Sequence, residues 1–304
     1  MPKIIVILNP TADHGRAADA ATSLQTSLRQ HTTFEWQETQ RPAHAIEYAE
    51  QAARDGFDVI VAAGGDGTAH EVANGILRAN ADGAHAALGL LPLGSGNDFA
   101  WVAGVPAQNL PEAIKRIVHG ALRAVDAGCI HDERGVDQRR YFINGIGIGF
   151  DAIVAIESRK IQHVHGLAMY TLAVLNTMRF YYRASPALLI YDQHKIQMPL
   201  LMGAIANGRR YGGGFLVCPD AQIDDGQFDL CLVPQVSRPA MLGFIPRVMN
   251  GSHVKDKRVL MRRSARVSIQ CQDPLPIHAD GEIFSTGSRE IEIELLPKAL
   301  NVIV

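Results

Sequence analysis

The sequence predicts an α/β domain followed by an antiparallel β domain. Short apolar runs at Ile4–Leu8, Phe34–Glu38, residues 58–63 and Ala86–Leu91 alternate with helical registers, the pattern of parallel βαβ units. The third and fourth of these runs end directly in glycine-rich turns. From about residue 127 the alternation stops, and strand-like segments follow one another, separated mostly by turns. A chain of 304 residues has room for two domains. We draw them at 1–126, a doubly wound α/β domain, and 127–296, an antiparallel β domain, with 297–304 free to return to the first.

Ile4–Leu8 reads as a buried parallel strand. It leads into the polar turn Asn9-Pro10-Thr11-Ala12-Asp13-His14-Gly15-Arg16 and a helix over Ala17–Gln30. Phe34–Glu38 is a second strand ending at Thr39, which puts Thr39 on the same sheet edge as Asn9. An amphipathic helix, Ala43–Arg54, stops at Gly56. The third strand enters Gly64-Gly65-Asp66-Gly67-Thr68, and a helix over His70–Asn80 follows. Glycines let backbone N–H groups approach an anion, and a helix N-terminus adds its positive end, so this turn reads as the floor of a nucleotide site. A plainer account uses the same residues: Thr68 with Glu71 three positions on is a capping box, and turns favour glycine. Asp66 favours the nucleotide. A carboxylate facing a polyphosphate repels it unless a cation or proton intervenes, which suits phosphoryl transfer with a divalent metal.

Ala86–Leu91 runs into Pro92-Leu93-Gly94-Ser95-Gly96-Asn97-Asp98. Two successive strands ending this way put both turns on one edge of a parallel sheet, where such sheets bind ligands. Leu110–His119 is a further helix. In the second domain Tyr141–Gly147, Ala187–Tyr191, Gln197–Ala206, Phe228–Val233, Arg266–Gln270 and Glu290–Leu295 are strand-like. One long helix over Gly166–Arg183, with Leu167, Tyr170, Leu175, Met178 and Tyr182 apolar, serves either the core or an acyl-chain pocket. Gly212-Gly213-Gly214 is either a close approach to substrate or a bulge. Asp280-Gly281 makes a hairpin turn, which leaves room for a functional Glu282.

Composition narrows the function. A net charge of −2 gives no global case for binding nucleic acid. Cys129, Cys218, Cys231 and Cys271 form no CxxC pair, which fits buried thiols in a reducing cytoplasm. No targeting segment is visible, and the apolar stretch Gly166–Leu175 is too short to span a bilayer.

GGDGTAHEVANG at residues 64–75 and LPLGSGNDFA at 91–100 resemble the bacterial diacylglycerol kinase family, which includes the eukaryotic sphingosine and diacylglycerol kinase catalytic domains. The resemblance continues through Asn9-Pro10, Asn144-Gly145-Gly147-Gly149-Phe150-Asp151, Asn207-Gly208, Gly212–Gly214, Cys218-Pro219, Asp224-Asp225-Gly226 with Asp229, and Asp280-Gly281-Glu282. It implies an NAD kinase/phosphofructokinase-like α/β domain plus a β-sandwich, with ATP in the cleft between them and a lipid hydroxyl as acceptor. Carried over by residue, it implies ATP contacts from Asn9, Pro10, Thr11, Thr39, Gly64, Gly65, Asp66, Gly67, Thr68, Glu71 and Ser95. Family members tend to read NPxSG at the first turn, whereas Ala12-Asp13-His14 precede Gly15 here. Glu282 becomes the implied base, with Asp66 organising metal and phosphate or sharing that role. Asp225, with the carbonyls of Gln222 and Gln227, is the implied holder of a structural Mg²⁺, and a second Mg²⁺ accompanies ATP.

The expectation is a cytoplasmic ATP- and Mg²⁺-dependent lipid kinase, acting on diacylglycerol or a related lipid alcohol and peripheral at the inner membrane surface. Lys255, Lys257, Arg258, Arg262, Arg263 and Arg266 are either a solvated face or an aid to transient docking on anionic membranes. No nucleic acid partner is expected, and a homodimer stays open. The alternatives are NAD kinase, which shares GGDG, and a non-catalytic nucleotide- or lipid-binding regulator of the same fold.

Overall fold

A computed structural model describes residues 2–107, 109–134, 139–161, 164 and 166–304; the chain divides into one unit of residues 1–125 and 298–304 and another of 126–297. In the first unit β1 (Ile4–Leu8), β2 (Glu35–Glu38), β3 (Val59–Gly64) and β4 (Ala87–Pro92) form a parallel sheet in the order β2-β1-β3-β4. Asn301 and Val302 add a parallel end piece beside Ala87 and Leu88 of β4. β1 and β3 are buried throughout, which is why they read as continuous apolar runs; β2, Glu-Trp-Gln-Glu, is the mostly exposed edge.

Helices α1 (Arg16–Arg29), α2 (His44–Arg54), α3 (Asp66–Ala81), α4 (Asp98–Ala103) and α5 (Leu110–His119) complete this unit. A Cβ on Gly75 of α3 would sit 2.4 Å from the Ile46 carbonyl oxygen, so glycine is what lets α3 press against α2. With every strand parallel, Asn9, Thr39, Gly65 and Leu93 leave the sheet at one edge. The chain passes from β1 to β2 on one side, while β3 lies on the other side of β1. The turns after β1 and β3 therefore flank a topological switch point.

The second unit takes up β5 (Leu122–Asp132) from Asp126 and β13 (Glu282–Ile303) as far as Pro297. Between them come β6 (Arg140–Phe142), β7 (Gly145–Gly149), β8 (Ser185–Tyr191), β9 (His194–Ala206), β10 (Phe228–Pro234), β11 (Leu260–Ser264) and β12 (Arg266–Ala279). Pairing is antiparallel in the order β11-β10-β9-β7-β12-β13, and β5 pairs β6. β8 pairs both the first half of β9 and the first half of β12. The later halves of those two strands pair β7, so β9 and β12 each turn from one partner to another, and the sheet folds over a core holding Phe142, Ile146, Leu189, Phe228 and Ile277. Helices α6 (Phe150–Ser158), α7 (Gly166–Phe180) and α8 (Arg238–Met249) belong to this unit. A second apolar cluster includes Phe150, Val154, Met178, Met241 and Phe244, so these helices also serve packing. The side chain of Leu167 lies outside the described residues.

The sequence reading departs from this fold in several places. Helix α3 begins at Asp66, not His70, because an extended Gly65 serves as its N-cap and Asp66 suits a helix N-terminus. The expected strand Tyr141–Gly147 is two strands broken at Ile143-Asn144. Helices α6 and α8 and strand β11 were not anticipated. The α8 start is a local signal that went unread: Ser237 Oγ accepts from Ala240 N–H at 3.4 Å, with proline in the first turn.

Candidate active site

The turns after β3 and β4 are locked to each other. Leu93 N–H donates to the Gly64 carbonyl at 2.8 Å. Beyond it the two backbones touch: a Cβ on Gly94 would meet Gly65 Cα at 2.4 Å. Asn97, at φ 51°, closes the second turn, accepting from Gly94 N–H at 3.1 Å and donating to the Gly94 carbonyl at 2.5 Å. Asp66 lies between the turns. Its Oδ1 accepts from Phe99 N–H in the first turn of α4 at 3.1 Å, and a Cβ on Gly96 would meet its Oδ2 at 2.9 Å.

The N-cap of helix α3 is Gly65, which has no side chain to cap the first turn, and this puts the positive end of the helix at the switch point. Thr68 does not cap it. Its Cβ and hydroxyl lie over Gly64, where a Cβ would fall 2.7 Å from Thr68 Cβ, and the buried Oγ1 has no hydrogen-bond partner among the described residues. Glu71 does not close a capping box either: its carboxylate accepts from Ala43 N–H at 2.9 Å and Ala45 N–H at 3.1 Å, capping α2. On the β1 side, Asn9 Oδ1 accepts from Thr11 N–H at 3.1 Å and from Thr11 Oγ1 at 2.8 Å, so Asn9 shapes its own turn. Asp13, His14 and Gly15 then run at φ 49°, 60° and 92°. Thr39 N–H donates to the Leu8 carbonyl at 2.9 Å, which ties the end of β2 to β1.

In the second unit Asp280 (φ 52°) and Gly281 (φ 85°) make the tight turn between β12 and β13, and Glu282 opens β13. The hairpin expected of Asp280-Gly281 is present, and it carries Glu282 at the start of β13. Asp280 accepts from Ile143, Asn144 and Gly145 N–H, each at 2.9 Å, which pins the turn to the β6–β7 break. Arg159, just past α6, donates to the Gly281 carbonyl at 2.9 Å and to Glu282 Oε2 at 2.7 Å. Gly281 N–H donates to His278 Nδ1 at 3.1 Å, and His278 Nε2 lies 3.3 Å from Asp151 Oδ2. Tyr211 OH donates to that same oxygen at 2.7 Å. Burial first, and then the Asp151 charge, hold the Tyr211 phenol well above its ordinary pKa, so it stays a donor. Gly212, Gly213 and Gly214, all at positive φ, form the loop that bridges Tyr211 to Phe215 and so sets Tyr211.

Asp225 is partly committed. Its Oδ1 accepts from Gln227 N–H at 3.1 Å and its Oδ2 pairs with Arg263. Arg263 also lies 3.6 Å from Asp229 Oδ2, a buried oxygen with no hydrogen-bond partner among the described residues. Burial raises the Asp229 pKa; Arg263 opposes that, and Asp225 and Asp220 add to it. Arg263 bonds Asp225 directly and reaches Asp229 only at ion-pair distance, so Asp229 Oδ2 keeps no hydrogen bond among the described residues, and a buried carboxylate oxygen of that kind suits a hard cation. No three His, Cys, Asp or Glu side chains among the described residues group to hold a metal, so an ion here would need the Gln222 and Gln227 carbonyls beside Asp225.

Half of the basic cluster is paired with carboxylates: Arg258 with Asp256, Arg263 with Asp225 and Arg266 with Glu294. Sequence reasoning placed Asn9, Thr39, Gly64–Thr68 and Ser95 at one edge, and the parallel register brings them there. It named Asn97 and Asp151 within motifs without giving either a role, and it missed Arg159, His278 and Tyr211. The GSGND turn hinted at Asn97, since asparagine tolerates positive φ; Arg159 and His278 are far from their partners' motifs and had no local signal.

Residues 3–130 match the family described as diacylglycerol kinase catalytic domain, and residues 144–304 match the YegS C-terminal NAD kinase beta sandwich-like domain. A diacylglycerol kinase of Mycobacterium tuberculosis (strain CDC 1551 / Oshkosh) is 30% identical over 303 residues, covering 99% of this chain and 94% of that protein. A YegS-like lipid kinase of Pseudomonas aeruginosa (strain UCBPP-PA14) is 30% identical across 85% of this chain and 80% of its own length. In fold, the chain is similar to a crystal structure of a diacylglycerol kinase from Bacillus anthracis str. Sterne, with TM-score 0.73, 21% identity, and coverage of 99% of this chain and 96% of that one.

Proposed function

The chain belongs to the diacylglycerol kinase family, and from that premise we propose that it is a lipid kinase transferring the γ-phosphoryl group of ATP, with Mg²⁺, to the hydroxyl of diacylglycerol or a related lipid alcohol. The observation that carries this reading is the interlock of Gly65 with Gly94 beside Asp66 and the glycine N-cap of α3. It supplies backbone donors for a polyphosphate and a carboxylate for its cation on a single surface.

Phosphoryl transfer needs positioning, charge compensation and a proton acceptor. Gly64–Thr68 cradles the phosphates with backbone N–H groups, and Thr68, its hydroxyl buried over Gly64, shapes the turn from below. Asn9, Pro10, Thr11, Thr39 and Ser95 bound the rest of the nucleotide. Asp66 sits where a magnesium ion accompanying ATP would neutralise it; such an ion supplies charge compensation on the transferred group. Glu71 acts through α2, which it caps, and so supports the edge indirectly. Glu282 accepts the hydroxyl proton, with Arg159 holding its carboxylate. Asp225, with the Gln222 and Gln227 carbonyls, would hold a second, structural Mg²⁺. We propose that the enzyme meets its lipid by peripheral association at the membrane surface; among the described residues no helix is long and apolar enough to cross a membrane.

The test is transfer of labelled phosphate from ATP to lipid vesicles carrying diacylglycerol, with NAD as a parallel acceptor and the lipid product identified by mass spectrometry. Label on the lipid is expected. Label on NAD alone, or on neither, overturns the reading.

A further inference from the structure

We propose that His278 is a positioning residue for Glu282, held as the neutral imidazole with its proton on Nε2. The inference rests on the reading of Glu282 as the base. It starts from hydrogen-bond direction. Gly281 N–H has only a hydrogen to offer, so Nδ1 of His278, 3.1 Å away, is an acceptor and carries no proton. Nε2 faces Asp151 Oδ2 at 3.3 Å and is therefore the protonated nitrogen. The ring is 3% exposed, so water does not compete for either nitrogen.

Asp151 is fixed in turn by Tyr211, which donates to the same carboxylate oxygen at 2.7 Å and packs its ring edge against the imidazole. Gly147 leaves the room these groups occupy: a Cβ there would fall 2.2 Å from both Asp151 Oδ2 and His278 Nε2. The charged and titratable groups facing His278 are thus Asp151 from α6 and Tyr211 from the glycine loop, with Asp280, Glu282 and the Glu282-bound Arg159 on the turn beyond.

The chain of bonds ends on the peptide between Asp280 and Gly281, one residue before Glu282. Asp280 and Gly281 both sit at positive φ, a conformation that costs free energy at the non-glycine position and needs support. The bond to Nδ1 is part of that support, beside the bonds that the Asp280 carboxylate accepts from Ile143, Asn144 and Gly145 N–H. A proton on Nδ1 would replace the acceptor with a donor facing a donor, and the turn would lose it.

Amide side chains separate the two nitrogens: Asn places its oxygen near Nδ1, and Gln places its head group near Nε2. His278→Gln is expected to lower kcat by about 100-fold, the cost of an ångström-scale misplacement, with KM for ATP unchanged. His278→Asn, which restores an acceptor for Gly281 N–H, is expected to recover at least about tenfold of that loss. Wild-type protein labelled with ¹⁵N-histidine is expected to show His278 as the Nε2–H tautomer at neutral pH, a readout that needs neither variant to fold. An Nδ1–H tautomer, equal kcat in the Asn and Gln variants, or a loss carried by KM for ATP overturns the proposal. Glu282→Gln separates it from the reading beneath it. If that variant keeps turnover while the tautomer and the Asn-over-Gln ranking hold, the base assignment fails and the turn-positioning role stands. If Glu282→Gln is inactive but the two His278 variants are equal, the positioning role alone fails.

Discussion

Arg159 grips the segment around Glu282 at two points, the Glu282 carboxylate at 2.7 Å and the Gly281 carbonyl at 2.9 Å. The two contacts differ in kind. The ion pair joins side chains that are 49% and 36% exposed, and pairs of that sort contribute about 0–1 kcal/mol. The bond to Gly281 fixes backbone, and so sets where β13 begins.

Arg159→Gln is therefore expected to leave stability within about 1 kcal/mol of wild type and to lower kcat about three- to tenfold. Urea unfolding and steady-state kinetics on the same preparation check this. Unchanged kcat would mean that the Glu282 carboxylate finds its working position without the arginine.

Glu71→Ala is expected to destabilise the protein by about 1–2 kcal/mol, because Ala43 and Ala45 N–H at the start of α2 lose their acceptor. Glu71→Gln keeps one acceptor oxygen and is expected to lose about half as much. Denaturant midpoints report this directly. A rise in KM for ATP with no stability loss would instead make Glu71 a nucleotide contact.

Glu71 also shows what the sequence made legible. The Gly64–Thr68 turn, its strand and its helix were readable from local spacing, and so was the α/β-then-β division, because hydrophobic period and glycine punctuation are local. The partner of Glu71 was not, since Thr68 three residues upstream offered a local explanation and the true partners lie 26 and 28 residues away. Arg159 and Glu282 are 123 residues apart, and His278 and Asp151 are 127. Such contacts depend on how β7, β12 and α6 pack, which no spacing in the chain encodes.

The four thiols are expected to be inert in the native state. Burial pushes Cys129 and Cys271 up to about 11 and Cys231 up to about 12, and Cys218 well above its ordinary value, while the thiolate is the reactive form. Titration with a thiol reagent at pH 7.5 should give almost no reaction when folded and four equivalents in denaturant. Rapid labelling of the native protein would show that one of these sites opens readily.

Acid should destabilise the protein through Asp256 and Asp132. Bonds from the Arg258 side chain and backbone, and then from Arg247, hold the Asp256 carboxyl below its usual range. For Asp132 burial alone would raise the value, but bonds from Arg134 and Ser288 outweigh it and leave it lowered. A carboxyl whose folded pKa is depressed stabilises the fold above its unfolded value, about 3.9, and loses that contribution as pH falls toward the folded value. Stability should therefore decline below about pH 4, and Asp256→Asn should flatten that decline. Unfolding midpoints from pH 7 to pH 3 check both; an equal slope in the variant would remove Asp256 from the acid response.

Gly94 gives the most direct test of the nucleotide edge. A Cβ there would lie 2.4 Å from Gly65 Cα and 3.0 Å from Asn97 Oδ1, and neither the backbone nor the hydrogen-bonded amide can move aside without parting the two turns. Gly94→Ala is expected to cost about 1–3 kcal/mol of stability, as overpacking does. It should also raise KM for ATP at least about tenfold, because Gly65 and the start of α3 shift together. Gly83→Ala is the control. Gly83, unlike Gly94, has positive φ, but a Cβ there meets nothing within 4 Å and it lies past the far end of α3, so alanine there brings backbone strain without touching the edge. If both variants lose stability and only Gly94→Ala loses affinity for ATP, the interlocked turns form the phosphate floor. If Gly94→Ala binds ATP as tightly as wild type, the nucleotide lies elsewhere.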